Sequence, residues 1–253
     1  MSSTQSPGYA ATSEPTLLHA IVADGPPPLA RYLQAVDHLV QWQQQPVAVA
    51  PPLYDATMLL AELELFPQWY IAGHRQRVLD RSERQTLDSA FAALLAQHQT
   101  CPQVPVHHDY SPDRLPLALS LPKAGRPLLG PVGYDIACLM RSAFVGWEED
   151  FCLDVTIRYW ERARKAGLPV ADDFGEFYRS VEWLGLQRHL MLAGDFARRT
   201  LQGGSSHYLA DTPRLLGYIV GTCQRYRELK PLLRLIERIE GTTAPTAFSF
   251  GRM

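Results

Sequence analysis

Apolar residues recur every three or four positions along most of this 253-residue chain, the spacing that gathers them on one face of an α-helix. The pattern covers the segments 29–39, 87–95, 151–166, 174–201, 215–226 and 232–239. Asp55 and Asp211 precede two helical segments and are predicted to cap them. The sequence therefore predicts a mainly α-helical fold, with a second half made of helices alone.

The middle of the chain breaks this helical pattern. Residues 103–107 alternate weakly between polar and apolar side chains, and residues 115–121 form a short apolar run near prolines. Two short segments of this kind predict a small β-hairpin, and the residues between them form its loop.

Composition excludes several classes of function. The chain has 24 Lys and Arg residues against 26 Asp and Glu residues, so its net charge of −2 offers no general attraction for nucleic acid or an anionic membrane. No apolar run approaches the roughly 18 to 20 residues that span a bilayer. The four cysteines lie far apart without a CxxC pair. These features predict a cytoplasmic protein with free thiols and with neither nucleic-acid nor membrane partners.

One group of titratable side chains lies in the predicted loop, where catalytic residues are commonly presented. It consists of His107, His108 and Asp109. Two His and one Asp are acceptable zinc ligands, but neighbouring side chains on a strand point to opposite faces, so no metal site is predicted. Asp109 has a second interpretation, as an acceptor for the amide groups of its own loop. Asp135 is predicted to cap the helix that follows it.

Several segments carry a resemblance to a known family. They read VHHDY at 106–110, GPVGYDIA at 130–137 and RSAF at 141–144, with LFPQWY at 65–70, WEE at 147–149, RYWE at 158–161, EWLGLQRH at 182–189, YLADTPR at 208–214 and RYREL at 225–229. Together they resemble the aminoglycoside phosphotransferase-like kinases over residues 14–240, and most of all the anomeric sugar kinase branch. That branch phosphorylates N-acetylmuramic acid and N-acetylglucosamine in cell-wall recycling.

The resemblance implies roles for individual residues. Asp109 matches the catalytic Asp, which orients the acceptor hydroxyl, and His107 matches the His at the strand end. Arg114 stands where the family has an Asn that holds magnesium, and a gapless count back from Gly130 places Lys123 and Arg126 at two acidic positions. Cations at these positions remove the oxygen ligands of the metal, so we expect no magnesium site.

The nucleotide-binding part of such kinases has no counterpart in the sequence. Residues 14–45 already resemble the linker and first helices of the C-terminal lobe, no GxGxxG precedes them, and the first lysine is Lys123. The expected organisation is a flexible lead over 1–13, a kinase-like helical C-lobe over 14–241 without the N-terminal nucleotide lobe, and a flexible tail over 242–253. No cofactor is predicted for this chain alone, although the family uses ATP and magnesium.

The resemblance also indicates a groove for a sugar, in which aromatic rings stack on the sugar and carboxylates accept its hydroxyl groups. The predicted substrate-binding residues are Glu148, Glu149, Glu182, Trp183 and His189. The leading hypothesis is a degenerate, pseudokinase C-lobe that binds an amino sugar or a protein partner without phosphotransfer of its own. The alternative is an active ATP-dependent sugar 1-phosphotransferase that takes its nucleotide lobe from a partner and binds phosphate through Arg114, Lys123 and Arg126. A structural or decayed product without a ligand is a third possibility.

Overall fold

The computed structural model describes residues 15–24, 28–45, 51–118, 128–203 and 207–242. Most of them are helical. The helices are α1 (Leu17–Asp24), α2 (Leu29–Gln43), α3 (Ala56–Leu63), a π-helix (Phe66–His74), α4 (Arg81–Thr100), α5 (Tyr134–Met140), α6 (Glu149–Lys165), α7 (Phe174–Gly203), α8 (His207–Ala210), α9 (Thr212–Arg225), a short 3₁₀ turn (Arg227–Leu229) and α10 (Lys230–Glu240). With one pair of strands, β1 (Gln103–Val106) and β2 (Leu128–Pro131), this confirms the predicted mainly α-helical class.

Helix α7 runs through the centre of the fold, and the described residues from Val181 to Leu190 along it are all buried. It lies unusually close to the π-helix at Gly194. A Cβ atom placed on Gly194 would lie 2.3 Å from the carbonyl carbon of Leu65 and 2.6 Å from the backbone nitrogen of Phe66. Only glycine allows two backbones to approach so closely. This contact holds α7 against Leu65 and Phe66, at the start of the π-helix.

The predicted helix caps have different outcomes. Asp55 accepts a hydrogen bond from the backbone N–H of Met58 at 2.9 Å, which confirms its capping role at α3. The capping prediction for Asp211 is wrong, because its side chain makes no cap hydrogen bond to α9 and lies 3.4 Å from Arg214 Nη1 instead. A capping box that was not predicted, formed by Asp80 and Glu83, begins α4.

The small sheet forms, but with a different second strand from the predicted one. β1 pairs antiparallel with β2, so Val106 lies opposite Leu128 and Val104 opposite Gly130. The segment predicted as the second strand begins in a turn, where the Leu115 N–H donates to the Ser111 carbonyl at 3.0 Å. Residues 119–121 lie outside the described residues. The turn removes Leu115 from pairing with β1, so the connection between the strands is longer than expected.

A continuous hydrophobic core joins the helices to the sheet and includes the four cysteines, which are free, as predicted, and are also buried. In the described part of the chain, every helix is either too short or too polar to cross a membrane. The predicted lead over 1–13, residues Lys123 and Arg126, and the predicted tail from residue 243 onward lie outside the described residues.

Candidate functional site

The loop after β1 takes its shape from a buried carboxylate on α5. Asp135 Oδ2 accepts the backbone N–H of His107 at 2.7 Å, and Oδ1 accepts that of His108 at 3.0 Å. The bonds hold the chain where His108 adopts a φ of 69°, which non-glycine residues rarely occupy. Burial raises the pKa of Asp135 to about 7, although the two bonds act in the opposite direction. The capping prediction for Asp135 is therefore wrong, because its carboxylate turns back to the loop.

Asp109, the next residue of this loop, holds its carboxylate between two guanidinium groups. Oδ1 lies 2.5 Å from Arg188 Nη2 and Oδ2 lies 3.3 Å from Arg114 Nε. Arg188 also donates through Nη1 to the His108 carbonyl at 3.1 Å, so one side chain of α7 holds both the loop backbone and its carboxylate. Burial raises the pKa of Asp109, but the positive charges of Arg188 and Arg114 bring it below the usual value. The Asp109 side chain is still 29% exposed.

The residue at the position of the family's magnesium-binding Asn is Arg114. Its Nε atom also lies 3.6 Å from Asp113 Oδ2, and the side chain is 14% exposed. A guanidinium group has no lone pair to donate to a metal and repels cations. Within the described segments, no group of three or more His, Cys, Asp or Glu side chains is arranged to hold a metal. Arg114 thus places a positive charge beside Asp109, and the expected absence of a magnesium site stays a prediction.

A network of polar side chains lies beside the loop. The Tyr54 hydroxyl donates to Glu62 Oε2 and accepts from Gln187 Nε2, the second bond being 2.9 Å long. His108 Nε2 lies 3.4 Å from Glu62 Oε1, and the His108 ring stacks on Tyr134 at a centroid distance of 5.2 Å. Burial raises the pKa of Glu62 to about 7 and lowers that of His108 to about 4. His108 is therefore neutral near pH 7.

His107, the predicted strand-end His, packs within the loop. Its ring meets Trp42 and Tyr110 edge-on, with centroids 5.9 and 5.6 Å away. The backbone N–H of Asp109 donates to His107 Nδ1 at 3.3 Å. Burial lowers the pKa of His107, which favours the neutral form that this bond requires. The structure thus gives His107 a place in supporting Asp109.

Two of the predicted substrate-binding residues, Glu149 and Glu182, meet in a second charged cluster. It lies at the N-terminal end of the buried part of α7 that also contains Arg188. The Glu182 carboxylate is 1% exposed, accepts hydrogen bonds from Arg225 and Tyr226, and lies 3.3 Å from Arg141 Nη2. Arg141 Nη2 also lies 3.5 Å from Glu149 Oε1. These contacts join α5, α6, α7 and α9. We name these five residues, Arg141, Glu149, Glu182, Arg225 and Tyr226, the Glu182 cluster.

The other predicted substrate-binding residues lie around the Glu182 cluster. His189 is fully buried, donates from Nε2 to the Arg141 carbonyl at 3.0 Å, and has its pKa lowered to about 3 by burial. Trp183 meets Tyr226 edge-on, with centroids 5.8 Å apart. Glu148 is exposed immediately before α6 and makes no side-chain cap bond there. A role for these residues in sugar binding stays a prediction.

Sequence reasoning did not single out Tyr54, Glu62 or Arg188 as site residues. Arg188 lies 79 positions after Asp109, and nothing in the spacing of the two residues links them. Glu62 occupies a polar position on the amphipathic α3, where a carboxylate normally faces solvent. A weak signal existed for Arg188, because it lies within the segment 182–189 that carries the resemblance.

Comparison with known proteins gives a consistent group of relatives. No family model matches the chain. The N-acetylmuramate/N-acetylglucosamine kinase of Neisseria meningitidis serogroup B is 42% identical over 87% of this chain and 67% of its own length. The proteins of the same name from Pseudomonas putida and Pseudomonas aeruginosa are 35% and 37% identical, over 89% and 80% of this chain and 67% and 61% of their own lengths.

The chain therefore spans about two thirds of the length of these relatives. The resemblance to the amino-sugar kinase branch is confirmed, whereas the wider placement among aminoglycoside phosphotransferase-like kinases, and the expected absence of a lobe, stay predictions. On this identity and coverage, the chain belongs to the N-acetylmuramate/N-acetylglucosamine kinase family.

Proposed function

We propose that this protein binds an amino sugar, N-acetylmuramate or N-acetylglucosamine, beside Asp109, and that the chain alone does not transfer a phosphoryl group to it. The names of three relatives supply the substrate class. As part of this proposal the protein acts in the cytoplasm, in cell-wall recycling, because its cysteines are free thiols and the resemblance implies that process.

The pairing of both Asp109 carboxylate oxygens with guanidinium groups carries the proposal. A carboxylate held in this way is ionised and fixed in position, but a partly exposed oxygen still accepts a hydrogen bond from a sugar hydroxyl. The same pairing makes Asp109 a weak base, because the two cations stabilise its charged form.

Arg114 supports the second half of the proposal. Its positive charge lies within 3.3 Å of Asp109, where a divalent cation would have to approach. Repulsion of this kind costs about 1 to 4 kcal/mol per charge pair at separations near 4 Å in a partly hydrated site. Phosphoryl transfer in kinases depends on metal ions that neutralise the phosphate oxygens. The charge of Arg114 makes the binding of such a metal ion near Asp109 unfavourable.

The alternative function is ATP-dependent phosphorylation of the sugar, with a nucleotide lobe supplied by a protein partner. One observation favours it: Asp109, at the position of the family's catalytic Asp, is 29% exposed rather than enclosed. In that case Arg114, with Lys123 and Arg126, would contact phosphate directly, since cationic side chains also stabilise a transferring phosphoryl group.

NMR titration of the isotope-labelled protein with each amino sugar tests the binding proposal, with glucose as the control because it lacks the acetamido group. We expect amide shifts that saturate with N-acetylmuramate or N-acetylglucosamine at millimolar concentration, and at least tenfold weaker binding in the Asp109→Asn variant. Absence of any shift with both amino sugars would show that the binding proposal is wrong.

A second assay separates binding from transfer. The protein is incubated with the sugar, ATP and magnesium, and the product is analysed by mass spectrometry for sugar phosphate. We expect none. Formation of sugar phosphate that disappears in Asp109→Asn would contradict the second half of the proposal. Formation only after a protein that supplies a nucleotide lobe is added would establish the alternative.

A further inference from the structure

We propose that Glu62 is a second sugar-binding carboxylate, which accepts a hydrogen bond from a hydroxyl group of the same amino sugar that Asp109 contacts. This inference rests on the proposed sugar binding and adds to it a residue from a different helix, α3.

The first argument is position. Glu62 and Asp109 both adjoin His108, because His108 Nε2 is 3.4 Å from Glu62 Oε1 and Asp109 is the next residue in the chain. The charge of Arg188 acts on Glu62 as well as on Asp109. Both carboxylates are partly open to solvent, with 23% and 29% of their side chains exposed. Glu62 and Asp109 are therefore neighbours around Arg188, and the proposal places one sugar in contact with both carboxylates.

The second argument is unused acceptor capacity on an oriented group. The Tyr54 hydroxyl donates to Oε2 of Glu62 and fixes the carboxylate plane. At the other oxygen, His108 Nε2 is 3.4 Å away and makes no hydrogen bond to any described group. A carboxylate offers about four lone-pair positions, so acceptor positions at Oε1 remain for a donor from a ligand.

The third argument is the contrast with Glu64, two residues farther along. Arg84 donates to both oxygens of Glu64, which gives that carboxylate a complete ionic partner at the surface. Glu62 instead accepts a hydrogen bond from the Tyr54 phenol and lies 3.4 Å from the neutral His108 imidazole, and burial makes its charged form costly. A buried carboxylate in such surroundings is typical of sites that bind a ligand.

The test compares Glu62→Gln with the matched control Glu64→Gln, in the full chain, by calorimetric titration with N-acetylglucosamine and N-acetylmuramate. We expect about tenfold weaker binding for Glu62→Gln, the usual loss when a charged acceptor becomes neutral, and a change below about twofold for Glu64→Gln. If the unaltered protein binds sugar and Glu62→Gln binds it equally well, this inference is wrong while the proposed function stands. If the unaltered protein binds neither sugar, both are wrong.

Deoxy sugars distinguish contact from a merely structural effect. For the analogue that lacks the hydroxyl bound by Glu62, the glutamine variant and the unaltered protein should have affinities within about twofold, whereas all other analogues should keep the tenfold gap. A uniform gap across every deoxy analogue would assign Glu62 a structural role and overturn the inference.

Should Glu62→Gln fail to fold, the unaltered protein labelled with ¹³C at glutamate side-chain carboxyl carbons provides the readout. We expect one buried carboxyl resonance to shift on sugar addition, and the same resonance to shift in the sugar-free Tyr54→Phe variant, because that variant removes the donor to Glu62. A Tyr54-sensitive resonance that ignores the sugar would contradict the inference.

Discussion

Helix α7 carries two charged clusters that use the same chemistry for different ends. In the Glu182 cluster, the central carboxylate is 1% exposed and its oxygens are enclosed by side chains of other helices. In the loop cluster of Asp109, Arg114 and Arg188, the central carboxylate also faces two arginines but is 29% exposed. Accessibility, rather than charge or partner type, separates a carboxylate that joins helices from one that a ligand can reach.

The contrast also assigns different roles to the arginines. Arg141 is 7% exposed, and it holds Glu182 while its own carbonyl accepts from His189. Arg188 is 5% exposed, yet it reaches outward to a loop that is itself shaped by Asp135. Contacts of the Glu182 cluster thus join helices, while a sugar-binding role for Glu149 and Glu182 stays a prediction. The loop cluster uses a buried arginine to position a partly exposed carboxylate.

The largest expected effect comes from breaking the closed cluster with Glu182→Ala. This change removes the buried carboxylate that lies 3.3 Å from Arg141 and leaves the 46% exposed Glu149, at 3.5 Å, as its carboxylate partner. Loss of one partner from a buried pair costs about 3 to 5 kcal/mol. We expect a fall in Tm of roughly 10 °C, measured by circular dichroism. Sugar affinity per folded molecule, at a temperature where the variant is folded, separates the two roles: a change within about twofold indicates a packing role, and a larger loss supports the predicted substrate-binding role of Glu182. A stability loss below about 1 kcal/mol would show that the cluster is not structural.

Gly194→Ala tests whether both clusters depend on where α7 lies. The added methyl group would meet the backbone at Leu65 and Phe66, so α7 or the π-helix must move. We expect a loss of about 1 to 3 kcal/mol in urea unfolding, together with weaker sugar binding. Gly217→Ala is the control, since a Cβ there has open space. Equal stability of the two variants would contradict the close approach.

The pH dependence of stability sharpens the comparison on the loop side. Burial raises the pKa of Glu62 to about 7, in a site formed by Tyr54, His108, Arg188, Asp109 and Asp195. Folded Glu62 therefore holds a proton that the unfolded state releases, so the contribution of Glu62 to stability falls as the pH rises from about 4.5 to about 7. The buried His108 and His189, whose pKa values are lowered, contribute in the opposite direction.

Urea unfolding at pH 5 and pH 8 measures this effect. We expect the change in the free energy of unfolding from pH 5 to pH 8 to be more favourable by about 1 to 2 kcal/mol in Glu62→Gln than in the unaltered protein, because the variant lacks this proton release. An unchanged pH dependence in Glu62→Gln would mean that Glu62 is ionised in the folded protein across this range.

The smallest expected effect on stability is that of Arg114→Asn. Arg188 still holds Asp109, so we expect a change below about 1 kcal/mol in the free energy of unfolding. The pKa of Asp109 should rise, because one of the two cations that lower it is gone. A ¹³C NMR titration of the aspartate carboxyl groups measures the shift, with Arg158→Gln as a distant surface control. No rise would show that Arg114 does not act on Asp109.

Periodicity predicted the helices because burial of one face every 3.6 residues is a local signal. Helices α2, α4, α7 and α10 contain their predicted segments, and α6 and α9 end one residue before theirs. Strand pairing was predicted less well, because the pairing of β1 with β2 depends on a close contact at Gly130. A Cβ there would lie 2.8 Å from Val106 Cγ2, so glycine permits the close pairing. Spacing within the chain does not report such a contact.

Some residues of the candidate site could be predicted from the sequence, and others could not. Asp109 and His107 were predicted because they are neighbours in a short loop, whereas Arg188 reaches them from a helix that is distant in sequence. Glu62 looked like an ordinary polar position of an amphipathic helix, and only the fold brings Tyr54 and His108 to it. Gly194 makes a long-range contact that does have a sequence signal, since an isolated glycine in a helical pattern can mark a close approach.

The free cysteines give the molecule two built-in reporters. Cys138 lies on α5 close to Asp135, and Cys223 lies on α9 two residues before Arg225; both are fully buried, and burial raises the pKa of each thiol. Each thiol is then alkylated only when the surrounding helix opens, so the two reaction rates measure local opening in two parts of the fold. Measuring both alkylation rates by mass spectrometry as sugar is added would show in which part of the fold the ligand slows local opening, without any substitution.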